Sequence, residues 1–268
     1  MKKKNILPAL FLILVLLYLL LPLVVSVIYS LFENWTGIIP YGFTTKAYQE
    51  LFADKAFLLS LGRTIVICII PIALTIFLVL LAMFVILVYF PKLEKYLQII
   101  CMIPYTIQGV ILSVSILTMY AGSKSMLGNR IVMLIGAYCI IILPHIYTGI
   151  KNGLGTINMP VLLEAAEMLG ASRLYAFFRI IVPNILSSIV VSALLAVGII
   201  FGDYVLDRNL ASSSFANVQI YLYQAMKSDP MKSSAVFCVI MAVTFVISAA
   251  VLYLKAKAAP AMGTKEEK

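Results

Sequence analysis

Glu164, Glu167, Arg173 and Arg179 stand close together in a chain that is otherwise strongly apolar. The chemistry open to them is ion pairing, with one another or with a docking surface. Covalent catalysis has no foothold here. His145 is the only histidine; it sits beside Pro144 in an apolar run and reads as a hydrogen-bonding residue of a helix bundle in preference to a proton relay. No G-x-x-x-x-G-K-[ST] loop occurs, so the chain has no usual cradle for a nucleotide. Cys68, Cys101, Cys139 and Cys238 lie inside apolar runs without C-x-x-C spacing, which suits packing better than metal or redox work. Asp203, in Phe201-Gly202-Asp203-Tyr204, is an acid near the end of an apolar run. Such groups are expensive and hence functional candidates; the alternative is an interfacial charge paired with Arg208 or an outward-facing lysine. Arg63, at the start of another apolar run, is expected to snorkel.

The elements that carry the charged cluster can be read from residue types. Val161 to Pro183 is expected to form two short helices with a break. Leu162, Ala166 and Leu169 recur at helical spacing as an apolar stripe, with Glu164 and Glu167 on the other face. Gly170 stands where a left-handed C-cap belongs, and Ser172 can cap the next helix. There Leu174, Phe177 or Phe178, and Ile181 repeat the stripe, and Pro183 opens the apolar segment that follows.

This stretch resembles the signature loop of the permease subunits of type I ABC importers: Glu-Ala-Ala, three residues, Gly, nine residues, Ile, one residue, Leu-Pro. Glu164, Ala165, Ala166, Gly170, Ile180 and Pro183 stand at the family's spacing, and Val182 replaces its usual Leu. The resemblance implies that Glu164, Ala165, Ala166, Glu167, Gly170, Ala171, Ser172 and Arg173 couple the chain to a separate ATPase. In the family, the residues at Glu164 and Gly170 are tied to that contact. It implies no cofactor on this chain, with ATP and Mg on the partner ATPase, a second permease chain, and an extracellular binding protein. Asp203 and Tyr204 become candidates for the substrate pathway. Leu169 precedes Gly170 where sugar permeases commonly carry an acid. That looks closer to permeases for polyamines, phosphonates, ferric iron, thiamine or oxyanions, and an acidic Asp203 would suit a polyamine.

Bulk properties agree with a membrane location. The chain is 63% hydrophobic and 12% charged, with mean hydropathy +1.08; soluble domains average about 25% charged. The expected fold is an all-α membrane protein, a single domain over residues 1–268, with six spans of about 20 residues each. They are placed near Ile6–Leu31, Thr64–Phe90, Leu97–Tyr120, Ile131–Ile150, Pro183–Val205 and Ser233–Leu254. The first lacks a cleavage site and reads as an uncleaved span. Polar outer segments are expected at 33–61, where Trp35, Tyr41, Tyr48 and Phe52 suit an interface, and at 207–232. The coupling loop is 151–183 and a loose tail follows from 255. Pro22, Pro71, Pro104 and Pro144 should kink spans.

With both termini cytoplasmic, 12 of the 20 Lys and Arg residues fall inside and 8 outside, the sign expected of that orientation. The loop then lies in the cytoplasm, where the family places it, and the resemblance implies a multi-pass protein of the bacterial cytoplasmic membrane. A net charge of +9 is read as topogenic, since the basic residues flank apolar runs and do not form a nucleic-acid patch. A stand-alone secondary transporter would need more paired ionisable residues at mid-bilayer, and a membrane scaffold would not need the spacing from Glu164 to Pro183.

Overall fold

The computed structural model describes residues 6–34, 41–107, 109–123, 125–211 and 215–258. Lys2, Lys3, Lys4, Trp35, Thr36, Lys124 and the tail beyond residue 258 lie outside the described residues. In chain order the elements begin with α1 (Ile6–Tyr29), a hairpin of β1 (Phe32–Asn34) and β2 (Tyr41–Phe43), α2 (Lys46–Ala53) and α3 (Lys55–Tyr89). Next come α4 (Glu94–Met102), α5 (Gly109–Tyr120), α6 (Arg130–Leu154), α7 (Met159–Met168) and α8 (Arg173–Ala176). A π-helical turn (Phe177–Ile181) leads into α9 (Val182–Asn184), then α10 (Leu186–Gly202), α11 (Val205–Leu210), α12 (Val218–Ser228) and α13 (Pro230–Ala258).

Among the described residues four helices are long and apolar enough to cross a bilayer, or up to six spans if each of two bent helix pairs counts as one. The expected fold class therefore holds as all-α and multi-span, with two corrections. The first is the small antiparallel hairpin, pairing Phe32 with Phe43 and Asn34 with Tyr41. The second is the third span, expected as one helix over Leu97–Tyr120. It is broken: the segment Pro91–Thr106, which holds α4 and the turn Ile103–Thr106, is bent by 100° relative to α5. Pro104 lacks the amide that would continue the α-helical ladder, and there α4 gives way to the tighter turn that precedes the break.

Helix α3 starts nine residues before the expected Thr64, because a cap rather than hydropathy sets its beginning. The Asp54 carboxylate accepts the Ala56 amide at 2.9 Å, satisfying one of the helix's orphan donors. Its 35 residues span about 50 Å at 1.5 Å per residue, against a hydrocarbon core of about 30 Å. So α3 overhangs the apolar layer.

Two compact units make up the chain. The first, Met1–Leu59 with Tyr221–Val243, is tied by side-chain hydrogen bonds. Ser30 Oγ and the Tyr48 hydroxyl lie 2.6 Å apart, and Asp54 accepts from Tyr221 at 2.6 Å and from Lys232 at 3.2 Å. Phe57, fully buried, lies 5.4 Å from the Tyr221 ring. In the second, Ser60–Ile220 with Thr244–Lys268, α6 is the central element: Tyr138, Ile142, Ile146, Tyr147 and Ile150 have no exposed surface. Gly149 and Gly153 let α10 approach α6 closely, with Ser192 and Ser188 filling the space their side chains would take. Helices α6 and α10 are also the two that enter and leave the charged loop, so the loop stands on a tight helix pair.

Candidate functional site

The charged loop folds as a helical hairpin. Asn158 caps α7 by accepting the Val161 amide at 3.5 Å, and Pro160 occupies the first turn, where its missing N–H costs nothing. The helix ends in a left-handed Gly170, φ +80°. The Ala171 amide bonds back to the Ala166 carbonyl at 3.0 Å, and Gly170 to Glu167 at 2.9 Å. These two bonds make a Schellman ending. Ser172 then caps α8 by accepting from the Tyr175 amide at 3.3 Å. The expected cap residues stand in the expected roles.

The stripes need correction. In α7 the buried residues are Leu163 and Ala166; Leu162 is half-buried, and Leu169 is 89% exposed beside Met168 at 88%. A hairpin closes on the face its own second helix covers, and that register is one residue from the one read by periodicity. In the second helix Ala176, Phe177 and Ile181 are buried while Leu174 is exposed. Phe177 lies 5.2 Å from the ring of Phe84 on α3, which anchors the hairpin to that span. Pro183 does not open the next span. The helix runs on from Arg173 through a wide π turn to Asn184, and α10 begins after a 69° bend at Ile185.

Glu164, Ala165 and Ser172 are exposed and Ala171 is half-buried. Glu167 and Arg173 pair across the turn, the guanidinium holding the Glu167 carboxyl below the usual carboxylate range. Glu164 has no ion pair among the described residues. Arg179 is exposed on the following helix. The hairpin thus presents Met168, Leu169 and Glu164 outward: two apolar knobs and an unpaired acid. At its root Lys151 bridges Glu94 at 3.1 Å and Gln98 at 2.7 Å, beside a cleft of about 600 Å³ lined also by Thr156 and Asn158.

A second feature lies within the helix pair above the loop. A cavity of about 310 Å³ is lined by Tyr105, His145, Thr148, Asn152, Ser187, Ser188 and Ser192, with apolar Val191 and Leu195. Its polar groups are neutral hydroxyls, one carboxamide and one imidazole. His145 was expected to hydrogen-bond within the bundle, but its Nδ1 is buried without a partner, and its ring meets Tyr105 edge-on at 5.0 Å.

Asp203 is not paired with Arg208 or a lysine. Tyr138 donates to its Oδ2 at 3.1 Å and the Leu206 amide at 2.9 Å, so Asp203 serves as cap to α11. Neither Asp203 nor Tyr204, both half-buried, lines this cavity. The guanidinium of Arg63 rests over the Phe215 ring at 5.1 Å.

Residues 64–257 match the model of the binding-protein-dependent transport system inner membrane component family. The chain belongs to that family. The permease is 24% identical over 195 residues to the putative 2-aminoethylphosphonate transport system permease protein PhnV of Salmonella paratyphi A, covering 71% of each chain. Identity to the PhnV protein of Salmonella typhimurium is 23%, with the same coverage. Its fold resembles a chain in the crystal structure of a bacterial ABC transporter involved in the import of the acidic polysaccharide alginate. The TM-score is 0.72 at 18% identity, over 96% of this chain and 97% of that one. A second structure, a bacterial alginate ABC transporter in complex with an alginate pentasaccharide-bound periplasmic protein, gives TM-score 0.68 at 18% identity, over 94% and 93%. The permease is therefore the transmembrane subunit of a type I ABC importer, and its relatives are permease subunits, not enzymes.

Apart from His145, the cavity residues of the permease were not singled out from the sequence, although a pattern was there. Gly149 and Gly153 form a G-x-x-x-G pair, Ser188 and Ser192 an equivalent small-residue pair, and Thr148 and Asn152 lie one turn apart. Small residues at that spacing mark close helix crossings in membranes.

Proposed function

We propose that the permease forms half of a solute pathway through the bacterial cytoplasmic membrane and couples it to a separate ATPase through the hairpin of α7 and α8. The observation that carries this reading is the hairpin's outward face. Met168 and Leu169 are almost fully exposed at its tip, with the unpaired Glu164 on the same short helix. Apolar knobs of this kind gain by entering a groove, and an unpaired acid at the rim gives the joint direction. Two ATPase subunits carrying ATP and Mg dock from the cytoplasm, a second permease chain completes the pathway, and an extracellular binding protein delivers the solute. Closure of the ATPase pair pulls on the hairpin, and α6 and α10 transmit the pull to the pathway. The cycle is alternating access driven by differential binding of its states.

For the solute, the cavity between α6 and α10 supports a small polar molecule held by hydroxyl, carboxamide and imidazole groups. No carboxylate lines it, which favours a hydroxyl- or oxyanion-bearing solute such as an aminophosphonate over a polyamine. The similarity to proteins named for 2-aminoethylphosphonate transport points the same way. A polyamine has one supporting residue, Asp203, and its carboxylate is already engaged by Tyr138 and Leu206.

The test is recovery of the tagged chain from mild detergent in its native host, with co-purifying proteins identified by mass spectrometry. Recovery of an ATPase subunit that is lost in a Glu164→Ala, Gly170→Pro double variant is expected. A chain that emerges without an ATPase at any detergent strength overturns the coupling role. The co-purified binding protein, titrated with aminophosphonate and with polyamine, decides the solute class.

A further inference from the structure

Asp207 is fully buried, and neither of its carboxylate oxygens has a hydrogen-bond partner among the described residues. It lies on α11, beyond the fifth span, where α11 packs against α5 and α6. The ionisable groups that face it are few. Tyr138 approaches from α6 with no exposed surface of its own, Cys68 from α3, and Asp203 from the turn before α11. Tyr138 directs its hydroxyl proton to Asp203 Oδ2. From α5 comes Ser113, already engaged by Asn209 at 2.8 Å. The neighbouring Arg208 is exposed, and among the described residues no cation acts on Asp207.

An anion in this position has lost its hydration and gained neither a countercharge nor a donor in exchange. Groups so placed neutralise instead of remaining charged. Two carboxyls share this small region, and they are unequal. Asp203 is half-buried and holds two donors, so it is the natural anion of the pair; Asp207 holds none. A second charge beside the first would add repulsion to desolvation.

We infer that Asp207 is a proton-binding site, occupied in this conformation and emptied when α11 draws away from α5 and α6 so that water reaches the carboxyl. The balance is simple: closing this region takes one proton from water onto the Asp207 carboxylate, and opening returns it. Acid therefore favours the conformation described here, and alkali favours one in which α11 is solvated. The site is independent of the ATPase joint and of the solute, so it stands or falls without them.

The test is infrared spectroscopy of the full-length chain, purified and returned to lipid bilayers, in the window where only protonated carboxyls absorb. At neutral pH a carboxylic-acid band is expected in the wild type, absent in Asp207→Asn and retained in Asp203→Asn. Absence of the band from the wild type overturns the proposal, as does its survival in Asp207→Asn. Should Asp207→Asn not fold, Asp203→Asn still decides, because loss of the band there places the proton on Asp203. Thermal unfolding against pH supplies a second readout. The folded state binds the extra proton, so wild-type stability falls as pH rises from the ordinary carboxylate range through neutral. A folded Asp207→Asn variant loses that decline, and a decline identical to the wild type's overturns the assignment.

Discussion

Gly149 and Ser192 meet at a helix crossing so tight that a Cβ built on Gly149 would stand 2.4 Å from the Ser192 Cβ. One turn along, a Cβ on Gly153 would stand 2.9 Å from the Ser188 Cβ. The crossing joins the helix that enters the charged loop to the helix that leaves it. The same serines line the polar cavity, so one contact both clamps the loop's two supports and forms the cavity wall.

Gly149→Ala must therefore push α6 and α10 apart. Overpacking of this kind costs about 1–3 kcal/mol, to be read as a lowered midpoint in thermal unfolding of the detergent-solubilised chain. Gly136, also on α6, has nothing within 4 Å of its would-be Cβ. Gly136→Ala is expected to leave the midpoint unchanged or raise it, since alanine is the better helix former by about 1 kcal/mol. Equal effects at the two positions would remove the crossing's special status.

Gly170 isolates a backbone effect. No atom lies within 4 Å of its would-be Cβ, so Gly170→Ala meets only the cost of the left-handed conformation, about 1–2 kcal/mol. Uptake should fall while the amount of chain in the membrane is unchanged. Gly170→Asn should retain more uptake than Gly170→Ala, because asparagine tolerates this conformation better. Uptake in the reverse order would separate the residue's role from its backbone angle.

The Glu167–Arg173 pair distinguishes a hinge from a docking face. The pair is exposed, so Glu167→Ala or Arg173→Ala should leave thermal stability close to wild type. Charge reversal in the pair, Glu167→Arg with Arg173→Glu, restores the bridge but inverts the surface. Rescue of uptake by the double reversal assigns the pair to holding the hairpin's turn; continued loss assigns the acid to the partner's rim.

In the first unit, the Tyr221 hydroxyl holds the Asp54 carboxyl below the ordinary carboxylate range against the cost of partial burial, with the Ala56 amide and Lys232 assisting. A carboxyl lowered in the folded state contributes stability above its unfolded value and loses it as pH falls through the folded one. Acid should destabilise the wild type over that window, and Asp54→Asn should be both less stable at neutral pH and flatter across it. Unfolding midpoints between neutral and strongly acidic pH check both expectations.

The ends of the α7–α8 hairpin were legible because caps are local: Gly170 and Ser172 announce themselves by residue type, and both stand where the spacing put them. Which face of α7 is covered was not legible. Leu163 and Leu162 are equally apolar, and only the packing of the following helix selects the former. Spans were visible as apolar runs, but the break after Thr106 came from backbone geometry that hydropathy averages away. Apart from His145, the cavity's lining escaped notice because it is mostly small hydroxyl and glycine residues, and Asp207 because the sequence placed it in a polar outer segment when its burial is tertiary.

The 69° bend at Ile185 gives the segment Arg173–Asn184 the character of a crank. Twelve residues at 1.5 Å each make an arm of about 18 Å, set across the direction of α10 and not along it. A swing of about 10° about that joint carries the far end through about 3 Å, on the scale of the small helix shifts through which proteins switch states. A straight continuation from α8 into α10 would instead pass a sideways push along its own axis, with little leverage. The corner turns a lateral displacement on one side of the membrane into a tilt within it.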